Sequence, residues 1–244
     1  MALTLSAFAA RAQQNTIIPD DKAVKDTQKW QDPEYSFHND WANLRKYDAD
    51  NIRLISGPPD PTRVIFMGNS ITEFWKDHDP AYFAGNYVDR GISGQTTPQM
   101  LVRFREDVIN LKPAVVVILA GINDIAENNG PNKLEDVFGN IVSMVQLAQA
   151  AHIKVIMSSV LPANHLPWRP SITPTEKVGR LNQMIKDYAD KNHIIYLDYY
   201  SAMVDDQKGL PKSFSEDGVH PNLAGYKIME PLADKAIAAA LQRK

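Results

Sequence analysis

The chain has 244 residues, 44% hydrophobic and 23% charged, which is a globular composition and excludes a disordered or fibrous chain. A net charge of −3 with no basic stripe gives no electrostatic footprint for nucleic acid, and no apolar run reaches the roughly 18 residues of a membrane span. Cysteine is absent, which excludes disulfides, thiolate metal sites, a cysteine nucleophile and a lipid-anchored N-terminal cysteine.

In chain order, residues 2–10 read ALTLSAFAA, and Ala10-Arg11-Ala12 follows as an A-x-A-like cleavage site. Residues 1–12 therefore read as a signal peptide, although no positive n-region precedes the apolar run. A frayed N-terminal helix is the competing reading. Export would place the protein in the periplasm or outside the cell; without it the protein stays cytoplasmic. Residues 13–62 are polar and rich in Asp, Asn and Pro, yet carry Trp30, Tyr35, Phe37 and Trp41. They read as an N-terminal extension packed on the domain, with one helix over 40–55 ended by Gly57-Pro58-Pro59.

Regular punctuation begins at residue 63 and runs to 244. Short apolar runs at 63–67, 86–88, 114–120, 153–157 and 194–197 read as strands. The run Ala114–Ala120 is apolar at every position and largely β-branched, as a strand covered on both faces requires. Helical periodicity falls between them. Residues 97–109 open with Thr97-Pro98, 134–150 place Leu134, Val137, Ile141, Val142, Val145 and Ala148 on one stripe, and 175–191 and 222–241 follow. Alternation of this kind predicts an α/β domain with a mainly parallel five-stranded sheet and right-handed crossovers.

Ligands of open parallel sheets bind beyond the carboxyl ends of the strands, and the unusual polar blocks lie there. The first strand runs into Gly68-Asn69-Ser70-Ile71, the second into Gly91-Ile92-Ser93-Gly94, and the third into Gly121-Ile122-Asn123-Asp124. Asp217-Gly218-Val219-His220-Pro221-Asn222 precedes the last helix. These are the parts of an acyl-transfer site. A serine hydroxyl needs an adjacent base, which His220 supplies, and the base needs an acceptor on its other ring nitrogen, which Asp217 supplies locally. The Ser70 and Gly94 backbone N–H groups and the Asn123 amide are the candidate oxyanion donors. Singly, each block has a plainer reading: Ser70 as a helix cap, Asn123-Asp124 as an Asx turn, Asp217 and His220 as a surface turn. The joint order carries the argument.

The order GNSI, ISG, GIND, DGVHPN resembles the SGNH (GDSL-type) hydrolases, from about Val64 to about Tyr226. The resemblance implies a flavodoxin-like three-layer α/β/α sandwich and ester hydrolysis through an acyl-serine intermediate. It implies Ser70 as nucleophile, His220 as base, Asp217 as its orienting acid, and Ser70, Gly94 and Asn123 as the oxyanion hole, with no metal or organic cofactor. One position departs. The family's first block usually reads Gly-Asp-Ser, and here Asn69 precedes Ser70. Asn keeps an acceptor, adds donors and loses the charge, so the bonding around Ser70 is open at this point.

Substrate readings rest on less. The Pro-rich stretch after the fourth strand offers Trp168 and His165 to a sugar or acyl group, with Trp168 packed under its own loop as the alternative. Phe74, Trp75 and Tyr82 read as core or pocket wall, and the other histidines show no metal-ligand spacing. By resemblance, the expected activity is removal of small acyl groups, chiefly acetyl, from carbohydrates. A lysophospholipase or thioesterase is the enzymatic rival, and a catalytically silent module binding an acylated glycan is the rival of another class. A nucleotide binder lacks its GxxxxGK[ST] or GxGxxG loop here.

Overall fold

The computed structural model describes residues 32–242, so the leader reading over 1–12 and Trp30 lie outside the described residues. Two units separate between Asn39 and Asp40. In the first, helix α1 (Pro33–Asn39) opens where the Asp32 carboxylate accepts from the Glu34 N–H at 2.9 Å.

The second unit begins with a broken helix where the sequence predicts a continuous one over 40–55. Asn43 adopts φ 52, and the Asp40 carboxylate accepts from the Leu44 and Arg45 N–H groups at 2.8 and 3.0 Å. A side chain that satisfies backbone donors locally competes with the helix. A 3-10 turn (Leu44–Tyr47) therefore leads into α2 (Asp48–Ser56). Trp41 stays 37% exposed, and it is its carbonyl that is held, by Gln99 Nε2 at 2.8 Å.

Five strands follow: β1 (Val64–Gly68), β2 (Tyr87–Gly91), β3 (Val115–Ile118), β4 (Lys154–Ser158) and β5 (Ile195–Leu197). All pairings are parallel and the order is β2-β1-β3-β4-β5, the flavodoxin-like order. Helices α3 (Ser70–His78), α8 (Tyr199–Met203) and α9 (Leu223–Gln242) pack together on one face. Helices α4 (Thr97–Asp107), α6 (Leu134–Ala150) and α7 (Thr175–Lys191) cover the other, and the short α5 (Ile122–Ile125) leaves the end of β3. The expected three-layer α/β/α sandwich is what forms. β1 and β3 are buried at every position, which is why their sequences show no polar alternation. Among the described residues no helix is long and apolar enough to cross a membrane.

Two features of the packing place the site. Trp75 lies buried between Tyr82, stacked at 5.1 Å, and Tyr226, stacked at 5.3 Å, while Tyr226 Oη donates to the Ile71 carbonyl at 2.8 Å. The first turn of α3 is thereby fixed to α9. On the other face, the fully buried Arg103 donates to the Asp107 carboxylate at 2.8 Å, to the Gly68 and Arg90 carbonyls at 2.8 and 2.9 Å, and to Gln95 Oε1 at 2.6 Å. This one guanidinium ties together the ends of β1 and β2, where the two first blocks emerge.

Candidate active site

The first block turns sharply from β1 into α3. Asn69 is the N-cap, its Oδ1 accepting from the Ile71 N–H at 3.1 Å, and Ser70 is the first helical residue. The capping role therefore belongs to Asn69, not to Ser70. The departure from Asp also has a physical account: the cap needs only an acceptor oxygen, and at 1% exposure a neutral amide avoids burying a charge. The serine hydroxyl is left to face the cleft. The turn is tight. A methyl group on Gly91, in the neighbouring strand end, would sit 2.1 Å from the Glu73 nitrogen, so only glycine lets β2 pass this close to α3.

The last block meets the first across 150 positions of sequence. Ser70 Oγ lies 2.9 Å from His220 Nε2, and His220 Nδ1 lies 2.6 Å from Asp217 Oδ2. Asp217 Oδ1 also accepts from the Val219 N–H at 2.9 Å, the His220 N–H at 2.8 Å and Ser215 Oγ at 3.1 Å. Burial pushes the Asp217 carboxyl up, but the His220 ring and these backbone donors outweigh it and hold it at about 2. The carboxylate is thus charged throughout the neutral range, and its fixed second oxygen selects the tautomer that presents Nε2 to Ser70.

The second and third blocks bring the donors. Asn123, buried on α5, gives one amide hydrogen to the Gln95 carbonyl at 2.9 Å, which orients the amide, and its side chain lines the cleft beside Ser70. Gly94, at φ +77, lines the same cleft. Among the described residues neither the Ser70 nor the Gly94 backbone N–H donates to a protein acceptor. The neighbouring Asp124 carboxylate faces away, accepting from the Thr97 N–H and Oγ at the start of α4 at 3.0 and 2.7 Å.

The cleft holds about 270 Å³ and is lined by Ser70, Phe74, Ser93, Gly94, Asn128 and Trp168 with Asn123 and His220. The Phe74 and Trp168 rings stand 5.3 and 5.9 Å from the His220 ring. A hydroxyl, an imidazole held by a carboxylate and backbone donors facing one cleft are the parts that acyl transfer uses.

Residues 66–228 match the GDSL-like Lipase/Acylhydrolase family. The chain belongs to that family. As a GDSL-like acylhydrolase it is a carboxylic ester hydrolase, and small-molecule esters are its substrates. A crystal structure of a GDSL-like lipase from Bacteroides thetaiotaomicron is 49% identical, covering 82% of this chain and 100% of that one, with a TM-score of 0.79. A candidate acylhydrolase from Bacteroides fragilis is 51% identical, covering 83% and 99%, with a TM-score of 0.80. An acetylxylan esterase from Geobacillus stearothermophilus is 27% identical over 150 residues, 58% of this chain and 67% of its own.

Within this GDSL-like hydrolase the structure gathers Ser70, Gly94, Asn123, Asp217, His220 and Trp168 around one cleft. It does not bring His165 there. That ring lies over Gly218, where a methyl group would meet it at 2.4 Å, and its Nδ1 pairs with Asn164 Oδ1 at 2.8 Å. Trp168 is 38% exposed and is pinned by its own Nε1 donating to Asn128 Oδ1 at 3.0 Å. Ser93 and Asn128 were not foreseen as lining. Ser93 lies inside the second block and was readable by position, whereas Asn128 sits in a polar loop that reads as a solvated turn. Among the described residues no three His, Cys, Asp or Glu side chains gather to hold a metal ion.

Proposed function

We propose that this hydrolase removes short acyl groups, acetyl foremost, from esterified carbohydrate through an acyl-serine intermediate. Ser70 Oγ attacks the ester carbonyl carbon as its proton passes to His220 Nε2. The Asp217 carboxylate holds Nδ1–H and faces the imidazolium. The carbonyl oxygen takes up the negative charge and meets the Ser70 N–H, the Gly94 N–H and the Asn123 amide. The bond to the alkoxy oxygen then breaks, and that oxygen leaves with the Nε2 proton as the alcohol. A water molecule gives its proton to His220 and attacks the acyl-serine. Ser70 recovers its hydrogen and the carboxylic acid departs.

The observation that carries this reading is the unbroken relay of 2.9 and 2.6 Å from Ser70 through His220 to Asp217. The small acyl group is favoured by the Trp168 ring, which the hydrogen bond to Asn128 holds 5.9 Å from the His220 ring in the cleft. The half-exposed indole face offers the flat apolar surface on which a sugar ring stacks, and the similarity to an acetylxylan esterase points the same way. Residues 1–12 acting as an export signal belong to the same proposal, and N-terminal sequencing of protein recovered from the cell envelope tests that part.

The activity is tested with p-nitrophenyl esters from acetyl to dodecanoyl, followed by acetylated xylo-oligosaccharides. Turnover confined to acetyl and propionyl, with acetate released from the oligosaccharide, is expected. Turnover that rises with chain length would contradict the small-acyl reading and favour a lysophospholipase or thioesterase.

A further inference from the structure

Gly94 stands with Ser93 at the exposed tip of a turn between the buried Ile92 and Gln95. A methyl group built on it would meet nothing within 4 Å. A backbone donor stabilises an oxyanion well only when it is fixed before the charge develops. Hydrogen bonds fix this turn from two sides. On one side Glu73, one turn beyond Ser70 on α3, places Oε2 2.6 Å from both the Ser93 backbone nitrogen and Ser93 Oγ. Its other oxygen accepts from Lys46. On the other side Asn128 Nδ2 donates to the Gly94 carbonyl at 3.2 Å.

We propose that Glu73 is a positioning residue of the esterase site, locking the Ser93–Gly94 turn to the helix that carries Ser70, with Lys46 orienting it and offsetting its charge. The inference rests on the esterase reading above. Two donors of one residue converging on one carboxylate oxygen define the direction of the turn as well as its distance from α3. Bonds to a carboxylate are about twice as strong as those between neutral groups, so a single side chain suffices. The Ser70 and Gly94 N–H groups are then held against each other by a path of only a few bonds: Ser70 to Glu73 along the helix, Glu73 to Ser93, and Ser93 to Gly94. A bare carboxylate beside this turn would oppose a developing oxyanion. The Lys46 ammonium against it removes most of that field. The same contact gives the segment before α2 a part in the site, alongside the Tyr47 hydroxyl that donates to the Gly91 carbonyl and the Gln95 amide that donates to the Ala42 carbonyl.

The test is steady-state hydrolysis of p-nitrophenyl acetate by the full chain and its variants, with Tm measured for each. Glu73→Ala is expected to lower kcat by about 10- to 100-fold with KM within about twofold, because the donor is misplaced while the cleft remains. Glu73→Gln keeps an oxygen for both Ser93 bonds and is expected to recover most of that loss. Lys46→Met, which leaves Glu73 charged and unoffset, is expected to lower kcat by a smaller factor. Should Glu73→Ala fail to fold, Ser93→Ala deletes one of the two bonds and is expected to lower kcat by about threefold or more at unchanged KM. Unchanged kcat in Glu73→Ala, a rise in KM alone, or no recovery in Glu73→Gln would overturn the proposal. A wild type whose turnover does not depend on Ser70 would instead remove the esterase reading beneath it.

Discussion

Asn123→Ala separates the donor role of this side chain from its structural one. Asn123 is buried and spends one amide hydrogen on the Gln95 carbonyl, leaving one for the cleft. Removing a single oxyanion donor costs about 10²–10³ in kcat, or about 2.7–4 kcal/mol of transition-state stabilisation. The Gln95 carbonyl also loses its partner, which costs about 1–3 kcal/mol of folding stability. In a body of this size that lowers Tm by about 2–12 °C, at about 2–4 °C per kcal/mol. The two effects are read separately, the first from p-nitrophenyl acetate kinetics well below Tm, the second from thermal unfolding. Asn123→Asp sharpens the contrast. It fills the same volume, donates nothing and brings a negative charge to the point where the oxyanion forms, so its kcat falls below that of the alanine variant. A kcat for Asn123→Ala within about threefold of wild type, alongside the expected loss in Tm, would show that Asn123 is a turn residue only and would refute the donor assignment.

Trp168→Ala removes the ring that Asn128 holds in the cleft and is expected to shift preference toward longer acyl chains while retaining acetyl turnover; an unchanged chain-length profile in the p-nitrophenyl ester series would show that the indole does not bound the acyl group. A pH effect on stability is expected from Asp89, which burial pushes up to about 7 against the pull of the Gly91 N–H at 2.6 Å and of the Lys76 and Arg90 charges. The unfolded chain releases this proton near 3.9, so the native state holds one proton more between the two values, and this contribution to stability is full below about 4 and is lost as pH rises through about 7. Asp89→Asn keeps the acceptor for Gly91 and removes the ionisation, so its Tm-against-pH curve is expected to be flatter over that window, with Asp124, pushed up to about 6 by burial, retaining part of the slope. Parallel curves for the two proteins would contradict the assignment.

What the sequence shows of this fold follows what local patterning can encode. The helices over 134–150 and 175–191 have the bounds that periodicity predicts, because each carries a continuous apolar stripe onto the sheet. β2 runs on through Asp89 and Arg90, where alternation of apolar residues gives out. Arg90 is buried there because Asp50 and Asn51, some 40 positions earlier, meet its guanidinium at 2.7 and 2.8 Å, a partnership no local window contains. β3 is shorter than its apolar run at both ends: Ala114 precedes the strand, and after Leu119, whose N–H still reaches the Met67 carbonyl at 3.0 Å, the chain turns through Gly121 into α5 and Asn123. The last helix continues through Pro231, a residue that usually ends one.

The candidate site divides in the same way. Ser70, Gly94, Asn123 and His220 stand at strand ends or before a helix, where topology alone brings them together, and Asp217 reaches His220 within one turn. Glu73 reads in sequence as an ordinary helical carboxylate, although its place three residues after Ser70 puts it on the same face of α3. Asn128 and Trp168 come from separate loops whose meeting depends on the fold of both. His165 neighbours Trp168 in sequence, but its ring packs over Gly218 while Trp168 lines the cleft.

The most direct test of the account is an acid quench during p-nitrophenyl acetate turnover, followed by mass spectrometry of peptides from wild type and Ser70→Ala. The account predicts one acetyl group on the peptide containing Ser70 in wild type, and neither acetyl nor turnover in a folded Ser70→Ala protein. Turnover persisting in that variant, or acetyl on any other residue, would contradict it.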